Sequence, residues 1–183
     1  MIRKMFSRRR MVASAALAML LPAAAASSAD ADGQGKPEAV RFASFNASLN
    51  RFNAGDLAVE LSSPGSAQPD AIAEIIQRTR PDVLLINEFD YDEGDVALDG
   101  FQENYLSVPH GDADPIEYAY RYAAPSNTGV PSGRDLDKNG SIGGPGDAFG
   151  FGFFEGQFAF AVYSMHPIDT GGVRTFQNFL WKD

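Results

Sequence analysis

The stretch PDAIAEIIQRTRPDVLLINE, residues 69–88, decides the fold because it contains a helix, a stop and a buried strand in immediate succession. The spacing of its apolar residues predicts a helix over residues 69–80. One face of that helix is mostly apolar at the i, i+3, i+4 and i+7 positions: Ile72, Ile75, Ile76 and Thr79. Pro81 ends the helix. Residues 83–86 are then apolar without alternation, which is typical of a strand covered on both faces.

A second apolar segment, residues 40–45, precedes this stretch and predicts the first strand. Strand, helix and strand in this order indicate the βαβ start of a layered α/β or α+β fold. A segment rich in Gly, Pro, Asn and Asp, residues 126–156, is expected to be irregular. The remaining predicted elements are a long loop at 50–68, a helix at 96–106, and strands at 118–123 and 158–163.

The N-terminus has the order of an export signal. Basic residues come first, an apolar run follows at residues 11–26, and small residues end it. We expect a signal peptide at residues 1–29, a linker at 30–38 and one domain at 39–183. The arginines at positions 8–10 fit a twin-arginine signal, although a Sec signal with a basic end looks nearly the same. The run is shorter than the ~20 residues that a transmembrane anchor needs. We therefore expect a periplasmic or extracellular protein.

The charge of the chain limits its partners. Its 15 basic and 24 acidic residues give a net charge of −9. Removal of the signal, which holds five basic and no acidic residues, would leave −14. Such a surface disfavours nucleic-acid binding through basic patches, but it does not exclude an enzyme that meets phosphate through a bound cation. The chain has no cysteine, so an exported domain must rely on its core or on bound metal for stability.

Two polar residues follow the predicted strands, Asn46 after the first and Glu88 after the buried one. Adjacent strands would bring both side chains to one edge of the sheet, where α/β folds place their sites. A carboxylate and an amide suit a hard cation such as Mg²⁺, and the amide can donate to a phosphoryl oxygen. The alternatives are an Asn that caps a turn and a Glu that is merely the first solvated residue. We take Asn46 and Glu88 as candidate catalytic and metal-binding residues.

Three motifs resemble those of the endonuclease/exonuclease/phosphatase family: VRFASFNASLNR (residues 40–51), RPDVLLINEFDYD (80–92) and GQFAFAVYSMHPI (156–168). The resemblance implies that Glu88 binds a Mg²⁺ or Mn²⁺ ion and that Asn46 orients the phosphate. It also implies an α+β fold, a four-layer α/β/β/α sandwich in which the third motif is a strand of the second sheet. Asn87 stands where the family usually has Gln.

The family's later motifs, G-D-F-N and S-D-H, do not occur in these 183 residues. The two histidines of the chain, His110 and His166, are expected to be structural or solvent-facing. We therefore expect the chain to be the front half of the sandwich, the reading frame to continue beyond Asp183, and residues 27–183 alone to be inactive. The missing general base typically contributes ~10²–10⁴-fold in rate.

A second candidate cation site lies in the irregular segment, where DLDKNG matches the start of an EF-hand-like loop. Asp135, Asp137 and Asn139 would offer oxygen ligands to Ca²⁺, but position 12 is Gly146, with Asp147 next to it. The alternative is a surface turn without metal. The acidic run after Glu88, which comprises Asp90, Asp92, Glu93 and Asp95, is expected to be mostly solvated.

These observations favour a metal-dependent phosphoester hydrolase. Its substrate would be a small organic phosphate, a phosphodiester or a lipid head group rather than bulk duplex DNA, with nucleic acid kept open by the resemblance. The alternative is an exported, non-catalytic calcium-binding module that retains the front half of the fold. We infer no protein partner and no stable membrane insertion after signal cleavage.

Overall fold

The computed structural model describes residues 39–179, so the expected signal peptide and linker lie outside the described part. Four strands and three helices occur in the order β1 (Phe42–Leu49), α1 (Asp56–Leu61), α2 (Ala67–Thr79), β2 (Val83–Phe89), α3 (Val96–Phe101), β3 (Tyr120–Ala123) and β4 (Phe160–Ser164). A π-helical segment, Gln102–Leu106, continues α3, and 3₁₀ turns occur at Pro145–Asp147 and Thr170–Gly172. This mixture of helices and strands confirms the α+β class.

The strands form one sheet in the order β1-β2-β4-β3. β1 and β2 are parallel and joined through α2, which confirms the predicted βαβ start. β4 pairs antiparallel with β2, from Asn87 opposite Phe160 to Val83 opposite Ser164, and β3 pairs antiparallel with β4. The expectation that the third motif belongs to a second sheet is therefore wrong for the described residues. β4 pairs with the side of β2 that β1 leaves free, so β2, the most apolar strand, has a neighbouring strand on both sides.

One face of the sheet carries the core. Alternate residues of the strands, such as Leu84, Ile86 and Tyr163, are buried against the helices. The other face is more open: Phe42 is 73% exposed, and Val83 and Leu85 are only half-buried. β2 is therefore fully covered on one face, not on both as predicted. Within residues 39–179, no helix combines the length and the apolar content that crossing a bilayer requires.

The buried face of α2 differs from the predicted one. Ile72, Ala73, Ile76 and Gln77 are buried, whereas Ile75 is 49% exposed. Since residues one turn apart share a face, the stripe through Ile72 and Ile76 also takes in Ala73 and Gln77 and leaves Ile75 at its margin. The Gln77 side chain donates to the backbone oxygens of Leu106 and Val108, at 3.0 and 2.7 Å, and so ties α2 to the end of the π-helical segment.

The segment expected to be a long loop, residues 50–68, contains the short helix α1. Leu57 and Leu61 lie one turn apart on it and are fully buried. The helix begins after Gly55, whose φ of 86° is left-handed, and ends before Pro64. Because residues typical of loops lie at both ends, the sequence pattern did not predict this helix, which tertiary packing stabilises.

Candidate active site

The carboxyl ends of β1 and β2 form the edge at which the candidate residues meet. Because the two strands are parallel and Asn46 is in register with Asn87, the residue after Asn87 lies beside Asn46. The Asn46 side-chain amide donates to Oε1 of Glu88 at 2.7 Å. The structure therefore brings together the two residues that were selected from the sequence, although they lie 42 positions apart.

Two further side chains contact the Glu88 carboxylate. The Ser48 hydroxyl and the Asn50 amide both donate to Oε2, each at 3.2 Å. The Ser48 backbone N–H in turn donates to Oδ1 of Asn46 at 3.1 Å, which orients the Asn46 amide. Sequence reasoning missed Ser48 and Asn50. The signal was their spacing, since polar residues at positions 46, 48 and 50 recur with the period of a strand.

The backbone at this edge is irregular. The pairing of β1 with β2 shifts register between Asn46 and Leu49. Ser48 and Glu88 have left-handed backbones, with φ of 50° and 58°. Non-glycine residues in that region cost about 1–3 kcal/mol each and persist only where their surroundings hold them. The irregular backbone directs the Ser48 hydroxyl and the Glu88 carboxylate toward each other, which an ideal strand pair would not do.

Asp90, two residues after Glu88, is a correction to the expectation that the acidic run is solvated. It is 4% exposed, and its carboxylate accepts backbone N–H groups from Arg51 at 2.6 Å and from Phe158 at 3.0 Å. Burial raises the pKa of Asp90, while these two hydrogen bonds oppose the rise. Asp90 therefore joins the segment after β1 to the segment before β4.

The two histidines lie away from Glu88. The His110 ring contacts the backbone oxygen of Tyr105 at 2.9 Å and lies 3.7 Å from Asp70 on α2. His166 follows β4, whose last residue pairs with Val83 at the start of β2, so it lies at the opposite edge of the sheet. Asn87, the departure from the family pattern, donates to the Ser44 hydroxyl at 3.0 Å.

The side chains around Glu88 fit a hard divalent cation. The set consists of one carboxylate, two amides and one hydroxyl, all of which carry the oxygen atoms that Mg²⁺ prefers. Oε1 of Glu88 accepts one hydrogen bond and keeps a lone pair for an ion, whereas Oε2 accepts two, from Ser48 and Asn50. Glu88 is only half-buried, so an ion and a substrate can reach it from solvent.

A comparison with known protein families matches residues 43–183 to the Endonuclease/Exonuclease/phosphatase family. The chain belongs to this family. The match includes both candidate residues, the second and third motifs, and all but the first three residues of the first motif. Endonuclease/exonuclease/phosphatase proteins are generally metal-dependent hydrolases that act on phosphoesters or nucleic acids. No curated protein and no solved structure shows significant similarity to the chain.

This member of the endonuclease/exonuclease/phosphatase family also contains a group of three acidic side chains away from Glu88. Asp135, Asp137 and Asp147 each offer a carboxylate oxygen, and these atoms lie within 4.8 Å of one another. Asn139 contacts the group through its amide, which donates to Asp137 at 2.9 Å. The structure thus brings in Asp147 where the EF-hand pattern has a Glu one position earlier.

Asp147 is the buried member of this group, at 2% exposure. Its carboxylate accepts backbone N–H groups from Leu136, Asp137 and Gly143 at 2.6, 3.3 and 2.8 Å. Burial alone raises the pKa of Asp147, but these three hydrogen bonds together lower it below its ordinary value. The carboxylate therefore organises the loop even without an ion.

Proposed function

We propose that this protein is a divalent-metal-dependent phosphoester hydrolase whose site is built on Asn46 and Glu88. The observation that carries the proposal is the 2.7 Å contact between these side chains at the carboxyl ends of two parallel strands. Membership of the endonuclease/exonuclease/phosphatase family supports the same reaction class.

Each residue has a distinct role in the proposed site. Glu88 would hold the Mg²⁺ or Mn²⁺ ion, and the hydrogen bonds from Ser48 and Asn50 would fix the plane of its carboxylate. Asn46 would donate to a phosphoryl oxygen whose negative charge grows in the transition state. When bound, the cation would supply Lewis acidity and lower the pKa of a water molecule.

The general base is not among the groups that we assign. His110 is bonded to backbone and His166 lies at the far edge of the sheet. We assign no general base within residues 39–179. Activity assays therefore use protein expressed from the complete reading frame, and residues 27–183 alone are expected to be inactive.

The direct test is hydrolysis of bis(p-nitrophenyl) phosphate and p-nitrophenyl phosphate with Mg²⁺ or Mn²⁺, and with chelator. Glu88→Ala should remove most activity and metal affinity together. Asn46→Ala should lower turnover with less effect on metal binding. Glu93→Gln is a suitable control because this exposed acid follows the same strand, five residues after Glu88. Activity that survives Glu88→Ala would overturn the assignment of the site.

The substrate class and the location are further parts of the proposal. The acidic composition favours small organic phosphates, phosphodiesters or lipid head groups over bulk duplex DNA. Export to the periplasm or outside rests on the sequence of residues 1–29. N-terminal sequencing of exported protein should find a start near Ser27 or Asp30, and material that still begins at Met1 would contradict it.

The acidic group at Asp135, Asp137 and Asp147 favours a second candidate, an exported calcium-binding module without catalysis. The two candidates separate cleanly. The module would gain stability from Ca²⁺ yet hydrolyse neither phosphate ester in protein from the complete reading frame, whereas the enzyme would hydrolyse at least one of them.

A further inference from the structure

Arg51, the residue after Asn50, is held through its backbone by two buried side chains. Its N–H donates to Oδ2 of Asp90 at 2.6 Å, and its carbonyl oxygen accepts from Nε2 of Gln157 at 2.7 Å. Asp90 is 4% exposed and Gln157 is 3% exposed. Because β1 ends at Leu49, these side chains supply the partners that a neighbouring strand would otherwise offer to this backbone.

Gln157 is the partner that comes from farther along the chain. It lies 106 positions after Arg51, in the segment before β4. Its Oε1 accepts from the backbone N–H of Phe153 at 2.7 Å, so both ends of the buried amide are hydrogen-bonded to backbone. An apolar residue at this position would leave one donor and one acceptor unpaired, which costs more than the two hydrogen bonds contribute. The position therefore needs a donor and an acceptor in one side chain, as an amide provides.

The backbone on either side of Gln157 is bent. Gly156 and Phe158 have left-handed φ values of 88° and 55°. A Cβ at Gly156 would lie 3.2 Å from the backbone oxygen of Tyr91, so the glycine also permits a close approach. Phe158 is strained in this conformation, and such strain persists only where the surroundings hold it, most often at functional sites. The bend leaves the Gln157 side chain buried against the Arg51 backbone.

The Arg51 backbone is coupled to the Glu88 carboxylate through Asn50. The Asn50 amide donates to Oε2 of Glu88 at 3.2 Å, and Nη1 of Arg51 donates to the Asn50 backbone oxygen at 2.7 Å. Asn50 lies just outside β1, so the direction of its side chain depends on how residue 51 is held. Ser48 and Asn50 together fix the Glu88 carboxylate through Oε2, which leaves a lone pair of Oε1 free for an ion.

We propose that Gln157 is a positioning residue of the Glu88 site. By holding the Arg51 backbone, it keeps the Asn50 amide on Glu88 and so raises the affinity of the carboxylate for a divalent cation. Loss of a residue that orients a metal ligand typically costs about 10–100-fold in metal affinity. The inference rests on the proposed function, because it requires Glu88 to be the ligand.

Gln77 offers a matched control for Gln157. It is also a buried glutamine, at 2% exposure, and its Nε2 donates to the backbone oxygen of Val108 at 2.7 Å. Its hydrogen bonds join α2 to residues 105–108 and not to the Glu88 edge. Gln157→Met and Gln77→Met should therefore both lower the free energy of unfolding, but only Gln157→Met should change the affinity for the cation.

The test is Mn²⁺ binding to protein from the complete reading frame, measured by electron paramagnetic resonance of the free ion. The parent protein carries Asp135→Asn and Asp137→Asn, so that the acidic loop does not contribute. Gln157→Met should weaken the Mn²⁺ affinity of this parent about tenfold, whereas Gln77→Met should leave it within about twofold. Urea unfolding without metal compares the two costs to the fold. Gln157→Asn, an amide one methylene shorter, should also weaken the affinity and decides the question if Gln157→Met does not fold.

A double-mutant cycle tests whether Gln157 acts through Asn50. Asn50→Ala should weaken Mn²⁺ affinity by itself, and adding Gln157→Met should then lower it by less than about twofold more. The positioning role is overturned, with Glu88 still the ligand, by any of three results: unchanged affinity in the folded Gln157 variant, an equal loss in Gln77→Met, or full additivity with Asn50→Ala. A parent protein that does not bind Mn²⁺, or that binds it equally well after Glu88→Gln, would instead refute the proposed site and this inference with it.

Discussion

The edge around Glu88 and the loop around Asp147 both gather oxygen-bearing side chains, but they are stabilised in opposite ways. At the edge, the donors to the carboxylate are side chains of Asn46 and Ser48 on β1 and of Asn50 directly after it. In the loop, the donors to Asp147 are backbone N–H groups of the same loop. Side-chain donors can turn toward a ligand, whereas backbone donors are fixed by the fold.

This difference separates a reactive arrangement from a structural one. A carboxylate that only side chains hold can exchange those partners for an ion or a phosphate at little cost to the fold. A buried carboxylate that satisfies three backbone groups cannot be removed without leaving them unpaired. Substitutions at the edge should therefore change activity more than stability, and substitutions in the loop should do the reverse.

The largest expected effect tests the reactive half of this comparison. Glu88→Gln should reduce hydrolysis of bis(p-nitrophenyl) phosphate by about 10²-fold or more, because the amide lacks the charge that holds a divalent cation. Asp137→Asn should leave the rate within about twofold, since the hydrogen bonds of Asp137 are to Asn139 and Asp147 and not to Asn46 or Glu88. Steady-state kinetics in saturating Mg²⁺ measures both. Equal losses in the two variants would remove the distinction between edge and loop.

The second prediction concerns Ca²⁺ and the loop. If the loop binds the ion, calcium at a hundredfold excess over its Kd should raise the free energy of unfolding by about 2.7 kcal/mol. Asp135→Asn together with Asp137→Asn should abolish that gain, whereas Glu88→Gln should keep it. Urea unfolding with calcium and with chelator is the measurement. Identical curves for the folded wild type would leave only the surface-turn interpretation.

A smaller effect tests whether Asp147 is structural without metal. Asp147→Asn should lower the melting temperature by several degrees in chelator, because an amide can no longer accept from backbone groups with both of its terminal atoms. Asp169→Asn, an exposed acid in a separate turn, serves as the control. A melting temperature equal to that of the wild type would mean that the loop does not depend on this carboxylate.

The smallest expected effect concerns the ion pair between Glu60 and Arg51, the residue that follows Asn50. The hydrogen bond from Arg51 lowers the pKa of Glu60 below its ordinary value of 4.5, although burial opposes this. A lowered pKa stabilises the fold above the unfolded-state pKa, and this contribution is lost as the pH falls through the folded-state pKa. Glu60→Gln should therefore cost about 0.5–1 kcal/mol at pH 7, kept small by solvent screening, and nothing below the folded-state pKa. Urea unfolding at several pH values measures this difference.

The sequence was informative where local pattern and strand order determine position. The βαβ start and the meeting of Asn46 with Glu88 followed from parallel strands that end at one edge. Asp90 was not predictable, because its burial depends on Phe158, which lies 68 residues away in sequence. The place of β4 in the sheet also depended on long-range pairing, which residue patterns do not encode.

Within the candidate site, residue types were easier to predict than geometry. Glu88 follows an apolar strand and was selected for that reason, but its left-handed backbone has no sequence signal. Ser48 and Asn50 have a strand-like spacing with Asn46, yet only the register shift in β1 directs them to the Glu88 carboxylate. The exposure of Phe149, Phe151 and Phe153 was not predicted, because alternating Gly and Phe look like an irregular loop.

The left-handed backbone of Glu88 also affects which residues selection favours at this position during evolution. Glycine or asparagine adopts that conformation with less strain. Either residue at position 88 should therefore raise the free energy of unfolding, although it removes the carboxylate. A library selected only for heat resistance is therefore expected to enrich these two residues there. If glutamate persists at position 88 although its left-handed backbone costs stability, selection acts there on a property other than stability.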